Sequence, residues 1–220
     1  MLKLIQPISK KNQVVQAIKD AIISGSIQPG EQIVESRMAQ ELGSGIPLVR
    51  EALIELEHQG FVQKTPYKGT IVTKLGPTEI RHNFQLRVEL EALAAEWAKA
   101  NVRPADIKEL QKLINRMEQS SAELDLDQFY QTDLEFHRKI WSLSGNPYLV
   151  DVLEQVVVPL FAFFVMKTRR EKESYIRSAA MHGEIVEALA VKSAVEVREL
   201  MRTFLMGWKD DMLKLLFSDN

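Results

Sequence analysis

One change of pattern constrains this chain more than any other feature. β-Rich segments are confined to FVQK (61–64) and GTIVT (69–73), and from Thr78 onward only helical spacing appears. A fold with two small strands near its front and none behind them divides naturally at GPTE (76–79). The rear stretch of about 140 residues is long enough to bury a core of its own. We therefore expect two domains, residues 1–76 and 77–220, and a mainly α protein.

In the front part Ser9 is a plausible N-cap. Val14, Val15, Ile18, Ile22 and Ile23 follow at helical spacing and Gly25 ends the run. IQPGEQI (27–33) reads as a turn punctuated by Pro29-Gly30. A short helix from Glu35 to Leu42 stops at Gly43, and Pro47 stands where a second helix, Leu48 to Gln59, begins. Helix, short helix, tight turn, helix and hairpin form the outline of a winged helix-turn-helix, whose second helix can enter a DNA major groove.

The rear part reads as an all-α bundle of six helices: 78–100, 104–121, 126–144, 147–168, 171–191 and 193–217. Pro77, Pro104 and Pro147 mark starts, Asp125 or Asp127 offers a cap, and Pro159 should kink the fourth helix. Such a bundle is large enough to hold a pocket between helices.

Composition narrows the partners. The net charge of −2 is uneven: residues 1–76 carry nine Lys/Arg against seven Asp/Glu, and 77–220 carry nineteen against twenty-three. A polyanion, if one binds, meets the front, with modest non-specific affinity. The absence of cysteine excludes disulfides and thiolate zinc sites and fits a reducing compartment. MLKLIQPISKKNQ has no long apolar stretch. The run 150–166 is interrupted by Asp151, Glu154, Gln155 and Pro159, short of the ~20 clean residues a membrane helix needs. The expectation is a cytoplasmic protein with no membrane partner.

Segment 22–72 carries Gly25, Pro29-Gly30, Glu35, Ala39, Leu42-Gly43, Val49-Arg50-Glu51-Ala52-Leu53, Leu56, Gly60 and Gly69. In that order and spacing it resembles the DNA-binding domain of GntR-type transcription regulators. Arg87 and Glu91 in RVELE, Asp133, Phe136 and His137 in DLEFH, Ser144-Gly145-Asn146 and His182 make the rear half similar to the FCD ligand-binding domain of the FadR-like branch. The resemblance implies a homodimer on a palindromic operator in double-stranded DNA, controlled by a small organic acid, and most simply a repressor.

On the DNA side the resemblance makes Arg50 the best single base reader; the plainer alternative is an exposed or salt-bridged helix arginine. Gly45-Ile46-Pro47 stands where relatives often have Ser-Arg-Thr, so Gly45 offers close backbone approach and Ile46 a contact to a thymine methyl, and neither is a bidentate reader. Ser36, Arg37 and Leu48 flank this surface. Tyr67-Lys68-Gly69-Thr70 at the wing tip offers a cation, an amide and a hydroxyl to phosphate, or is simply a solubilising turn.

On the effector side Asp133 and His137, spaced i and i+4, share one helix face, and His182 is a third candidate ligand from a later helix. Metal-binding FCD relatives add another histidine 22 residues on, where this chain has Phe204. Three readings stand. A divalent metal such as zinc is kept by three protein ligands, or the same groups form a polar effector pocket without metal, or both histidines are satisfied core residues. Arg87 is preferred as a carboxylate partner over an internal salt bridge. Phe204, if it faces the pocket, makes it more apolar and favours a partly hydrophobic acid. Arg169 to Glu173 reads as a solvated junction, and His58 and His82 as surface residues. Two further functions compete: a metal-dependent hydrolase, disfavoured by the lack of a nucleophile or general-base motif, and a helical interaction module with a vestigial wing.

Overall fold

A computed structural model describes residues 9–168 and 172–217. They fall into two compact units, one ending at Lys74 and the other starting at Leu75.

The front unit begins with α1 (Lys10–Ser24). Ser9 caps it, its hydroxyl accepting from the Asn12 N–H at 3.1 Å, and Gly25 closes it with a φ of 80° that only glycine adopts freely. The buried stripe Val14, Val15, Ile18 and Ile22 packs α1 against α3 (Ile46–His58), while α2 (Glu35–Glu41) lies between them in sequence. Ile18, Ile22, Val49, Ala52, Leu56, Phe61 and Val72 are essentially solvent-free and form one core. Each larger side chain among them contributes about 1.5–3 kcal/mol. Thr73 Oγ1 donates to the Gly60 carbonyl at 2.6 Å and ties the end of α3 to the wing.

The wing is a three-stranded sheet in the order β1-β3-β2, rather than the two-stranded hairpin expected from sequence. β2 (Val62–Thr65) and β3 (Gly69–Val72) pair antiparallel with Thr65 opposite Gly69. β1 (Gln32–Ile33) adds to the other edge of β3, with Ile33 opposite Thr70. Two residues are too few to show a period of two, so this strand read as the tail of a turn. In the β2–β3 turn the Lys68 N–H donates to the Thr65 carbonyl at 3.1 Å, Pro66 takes the second position, and Tyr67 has the positive φ of 63° that a type II turn requires at the third.

The rear unit contains α4 (Pro77–Asn101), α5 (Pro104–Glu123), α6 (Leu126–Leu143), α7 (Pro147–Thr168), α8 (Lys172–Val191) and α9 (Ala194–Phe217). All three prolines expected at helix starts occupy the first helical position, where the missing N–H costs nothing. Asp125 caps α6 through the Gln128 N–H, and Asn146 caps α7 through Tyr148 and Leu149. α4 packs on α9, α6 and α7, and α5 on α6 and α8. α7 is long and apolar enough to cross a membrane by length and composition. Its apolar side chains are nevertheless core: Leu153, Val157, Val158, Leu160 and Phe163 are all buried. Pro159 sits inside it, and the helix runs on to Thr168. Residues 169–171 and the side chains of 172 and 173 lie outside the described residues. His58 and His82 are exposed, as expected.

Candidate metal and effector site with a winged DNA-binding surface

Five helices bring together one small cavity in the rear unit. Its lining is Arg87 from α4, Asp133 and His137 from α6, Leu160, Phe161 and Phe164 from α7, Ser178 and His182 from α8, and Phe204, Trp208 and Met212 from α9. All five sequence-derived effector residues meet here. The space within it is about 20 Å³, room for one ion or one water.

Hydrogen bonds on the far sides of the two imidazoles decide what faces the cavity. His182 Nδ1 lies 2.6 Å from the Ser178 carbonyl oxygen, which only accepts, so Nδ1 carries the hydrogen. His137 Nδ1 lies 2.5 Å from a carboxylate oxygen of Glu91 and carries its hydrogen for the same reason. In the neutral rings both Nε2 atoms therefore present lone pairs, and they stand 3.2 Å apart. Asp133 Oδ1 is 3.0 Å from His182 Nε2 and 3.7 Å from His137 Nε2; it is buried and has no hydrogen-bond partner. Three acceptor atoms with no proton between them repel one another unless a cation or a proton joins them.

The spacing fits a metal ion. Two ligands about 2.1 Å from a shared ion stand about 3.0 Å apart at right angles and about 3.4 Å apart at the tetrahedral angle. The three atoms lie close to that range. Two imidazoles and a carboxylate suit zinc and its first-row neighbours. Phe204 supplies no donor; its ring stands edge-on to His182, with centroids 5.8 Å apart. Among the described residues the ligand set is Asp133, His137 and His182.

Arg87 satisfies both sequence readings at once. It lines the cavity, and its Nε donates to Glu91 Oε1 at 2.6 Å. The rings of Phe161 and Phe84 flank the guanidinium at 4.8 and 5.4 Å. Glu91 is the site residue that sequence reasoning left out of the ligand set. Burial works to raise the pKa of its carboxyl, but the Arg87 charge and the hydrogen bonds from His137 and Arg87 outweigh burial and hold it well below the usual carboxylate range. Its sequence signals were its place among the marks of the FCD resemblance and the i, i+4 step from Arg87.

The front unit places its candidates on one exposed set of elements. Gly45 precedes α3, Ile46 and Pro47 open it, and all three are exposed; Leu48 is half-buried. Arg50 extends from the next turn, 63% exposed, with Nη2 donating to Glu35 on α2 at 2.8 Å and Nε in contact with both carboxylate oxygens. These hydrogen bonds hold the Glu35 carboxyl below its ordinary pKa, against a small opposing effect of burial. The pair orients the guanidinium and leaves it in solvent. Ser36 is exposed, and Arg37 pairs with Glu41 at 2.8 Å along α2. At the wing tip Tyr67, Lys68 and Gly69 are exposed and Thr70 is half-buried; the Lys68 carbonyl accepts from Gln32 at 2.7 Å.

Comparison with known proteins agrees with both units. Residues 10–72 match the gntR family of bacterial regulatory proteins, and residues 82–206 match the FCD domain. The HTH-type transcriptional regulator McbR of Escherichia coli K12 is 29% identical over 151 residues, 69% of this chain and 68% of McbR. The transcriptional repressor RspR of the same strain is 22% identical over 151 residues, 69% of this chain and 65% of RspR. Among solved structures, E. coli McbR/YncC superposes with a TM-score of 0.71 at 23% identity, covering 94% of this chain and 98% of that one. A GntR regulator from Rhodococcus sp. RHA1 gives 0.70 at 20% identity, over 93% and 97%. At these identities the structures speak for the fold. The family is one of transcription regulators, not enzymes, so the chain belongs to the GntR-family transcriptional regulators that carry a C-terminal FCD domain.

Proposed function

We propose that this regulator is a homodimeric repressor. Residues 1–76 grip a palindromic operator, and residues 77–220 sense a small carboxylate and hold the two copies together. The observation that carries the sensing part is the convergence of three unprotonated ligand atoms beside Arg87. Asp133, His137 and His182 would hold one divalent cation, which would supply positive charge and an open position to a carboxylate oxygen. Arg87 keeps its Nη groups for a second oxygen. Leu160, Phe164, Phe204 and Trp208 would meet the apolar body of such an acid, and the cavity, with room here for one ion or one water, would have to widen to admit it. RspR's name supports the repressor sign, and a DNA-binding role favours the cytoplasm.

Arg50 is the base reader of this proposal, with the wing tip on phosphate. A dimer is supported by α4. Leu86, Leu90, Leu93 and Trp97 follow one another at steps of four, three and four, and each is partly exposed. That order reads the same in both directions. An antiparallel copy across a two-fold axis sets Leu86 against Trp97 and Leu90 against Leu93. Glu89 and Glu96 beside the stripe are already paired with Arg202 and Arg198 at 2.7 Å, which removes like-charge repulsion between the copies.

Control of DNA by the acid requires that the acid bind the free and DNA-bound forms differently, and DNA must weaken acid binding by the same factor. Fluorescence anisotropy on duplexes from the protein's own upstream region, with zinc and a panel of monocarboxylates, tests this. We expect tight binding that Arg50→Ala weakens and that one class of acid weakens as well. Equal acid affinity with and without operator defeats the mechanism.

A further inference from the structure

Glu91 has 1% of its surface exposed and is absent from the cavity wall, yet three buried donors end on it. Arg87 Nε donates to Oε1 at 2.6 Å, while His137 Nδ1 at 2.5 Å and Trp141 Nε1 at 3.2 Å share Oε2. We propose that Glu91 is the positioning residue of this site, committing the His137 imidazole to its Nδ1–H tautomer so that an unprotonated Nε2 faces Asp133 and His182.

A neutral imidazole carries its hydrogen on one nitrogen, and the partner of the other decides which. The two histidines reach the same tautomer by different means. His182 donates to a backbone carbonyl four residues earlier on α8, which no substitution removes. His137 depends on one side chain from another helix. The same carboxylate occupies Arg87 Nε and so aims the rest of that guanidinium. One residue on α4 thus sets two groups of the site, and its loss disturbs His137 and Arg87 while sparing His182. The tautomer exists with or without an ion; only its consequence for metal binding rests on the reading of the cluster as a metal seat.

Glu91→Leu removes the acceptor and keeps most of the volume. With nothing left to accept from Nδ1, the hydrogen is better placed on Nε2, where His182 Nε2 at 3.2 Å can accept it. The readout is the ¹⁵N pattern of the imidazole nitrogens in the metal-free full chain, together with zinc affinity. We expect Nδ1–H on both histidines in the native protein. In the variant His137 alone switches to Nε2–H and zinc binds about 10–100-fold more weakly. Nε2–H on His137 in the native protein overturns the proposal without any variant, which covers the case in which Glu91→Leu does not fold. An unchanged His137 tautomer in a folded variant overturns it as well. The expected tautomers in a protein that takes up no zinc uphold the role of Glu91 and reject the metal seat.

Discussion

His137 and His182 face each other through unprotonated Nε2 atoms 3.2 Å apart, with the outward nitrogen of each ring engaged by an acceptor. Neither ring can donate to the other while neutral. A core histidine pair at rest would be expected to form an N–H···N bond, so the arrangement favours the proposed cation seat over ordinary packing.

A ligand that binds only the folded state stabilises it by mass action. At a hundredfold excess over its dissociation constant, zinc should add about 2.7 kcal/mol. That corresponds to a rise in Tm of about 5–10 °C for a chain of this size. His182→Ala should remove the rise, and a chelator should reverse it in the native protein. A melting temperature indifferent to zinc would leave the polar pocket without metal as the surviving reading.

Arg50 offers a clean separation of DNA contact from stability. Its pair with Glu35 is exposed, and exposed pairs contribute little to stability. Arg50→Ala should therefore change the melting temperature little while costing about 1–3 kcal/mol of operator affinity. Leu56→Ala is the contrasting control. That side chain is fully buried on the inner face of α3, and its loss should cost about 2–5 kcal/mol of stability. If Arg50→Ala bound the operator as well as the native protein, the base-reading role would pass to Ile46 or the wing.

The helices were legible because their apolar period is long and their ends carry prolines and caps. Pro77, Pro104 and Pro147 open helices where the spacing places them. β1 was not legible, because two residues carry no period and the partner of Gln32 lies 39 residues on, at Ile71. The ligand trio could be read from the i, i+4 step on α6 plus family spacing. The role of Glu91 could not. Its donors come from α4 and α6, and only folding shows that His137 Nδ1, rather than water, meets its carboxylate. The tie between Arg50 and Glu35 spans 15 residues and a turn, and no local pattern announces it.

Asp106 allows a pH prediction with a definite sign. Its hydrogen bond from Lys139 on α6 and its bond from the Arg103 N–H at the start of α5 hold its pKa below the usual value. A carboxyl with a lowered folded pKa contributes stability above its unfolded pKa, about 3.9, and that contribution fades as pH falls through the folded value. A carboxyl carbon titration by NMR should place the Asp106 midpoint below about 3.9. Lys139→Ala should raise the midpoint, and the loss of stability on acidification should then be smaller. A midpoint unmoved by that substitution would assign the shift to the cap alone.

The stripe on α4 gives the last test. Leu90 is half-buried, and the proposed two-fold axis sets it against Leu93 of a second copy. A carboxylate placed there would have to be buried without a partner, at a cost of several kcal/mol per copy, whereas in a monomer it stays in water. Leu90→Glu should therefore convert the protein to a monomer in sedimentation or light scattering while leaving the helical signal intact. Binding to a full palindrome should fall to the level of a single half-site, because two linked readers gain effective concentration that one reader lacks. Trp97 supplies an independent readout, being 37% exposed in the single chain: its fluorescence should shift to the red on dissociation. A Leu90→Glu protein that still sediments as a dimer would move the interface to another face of the bundle.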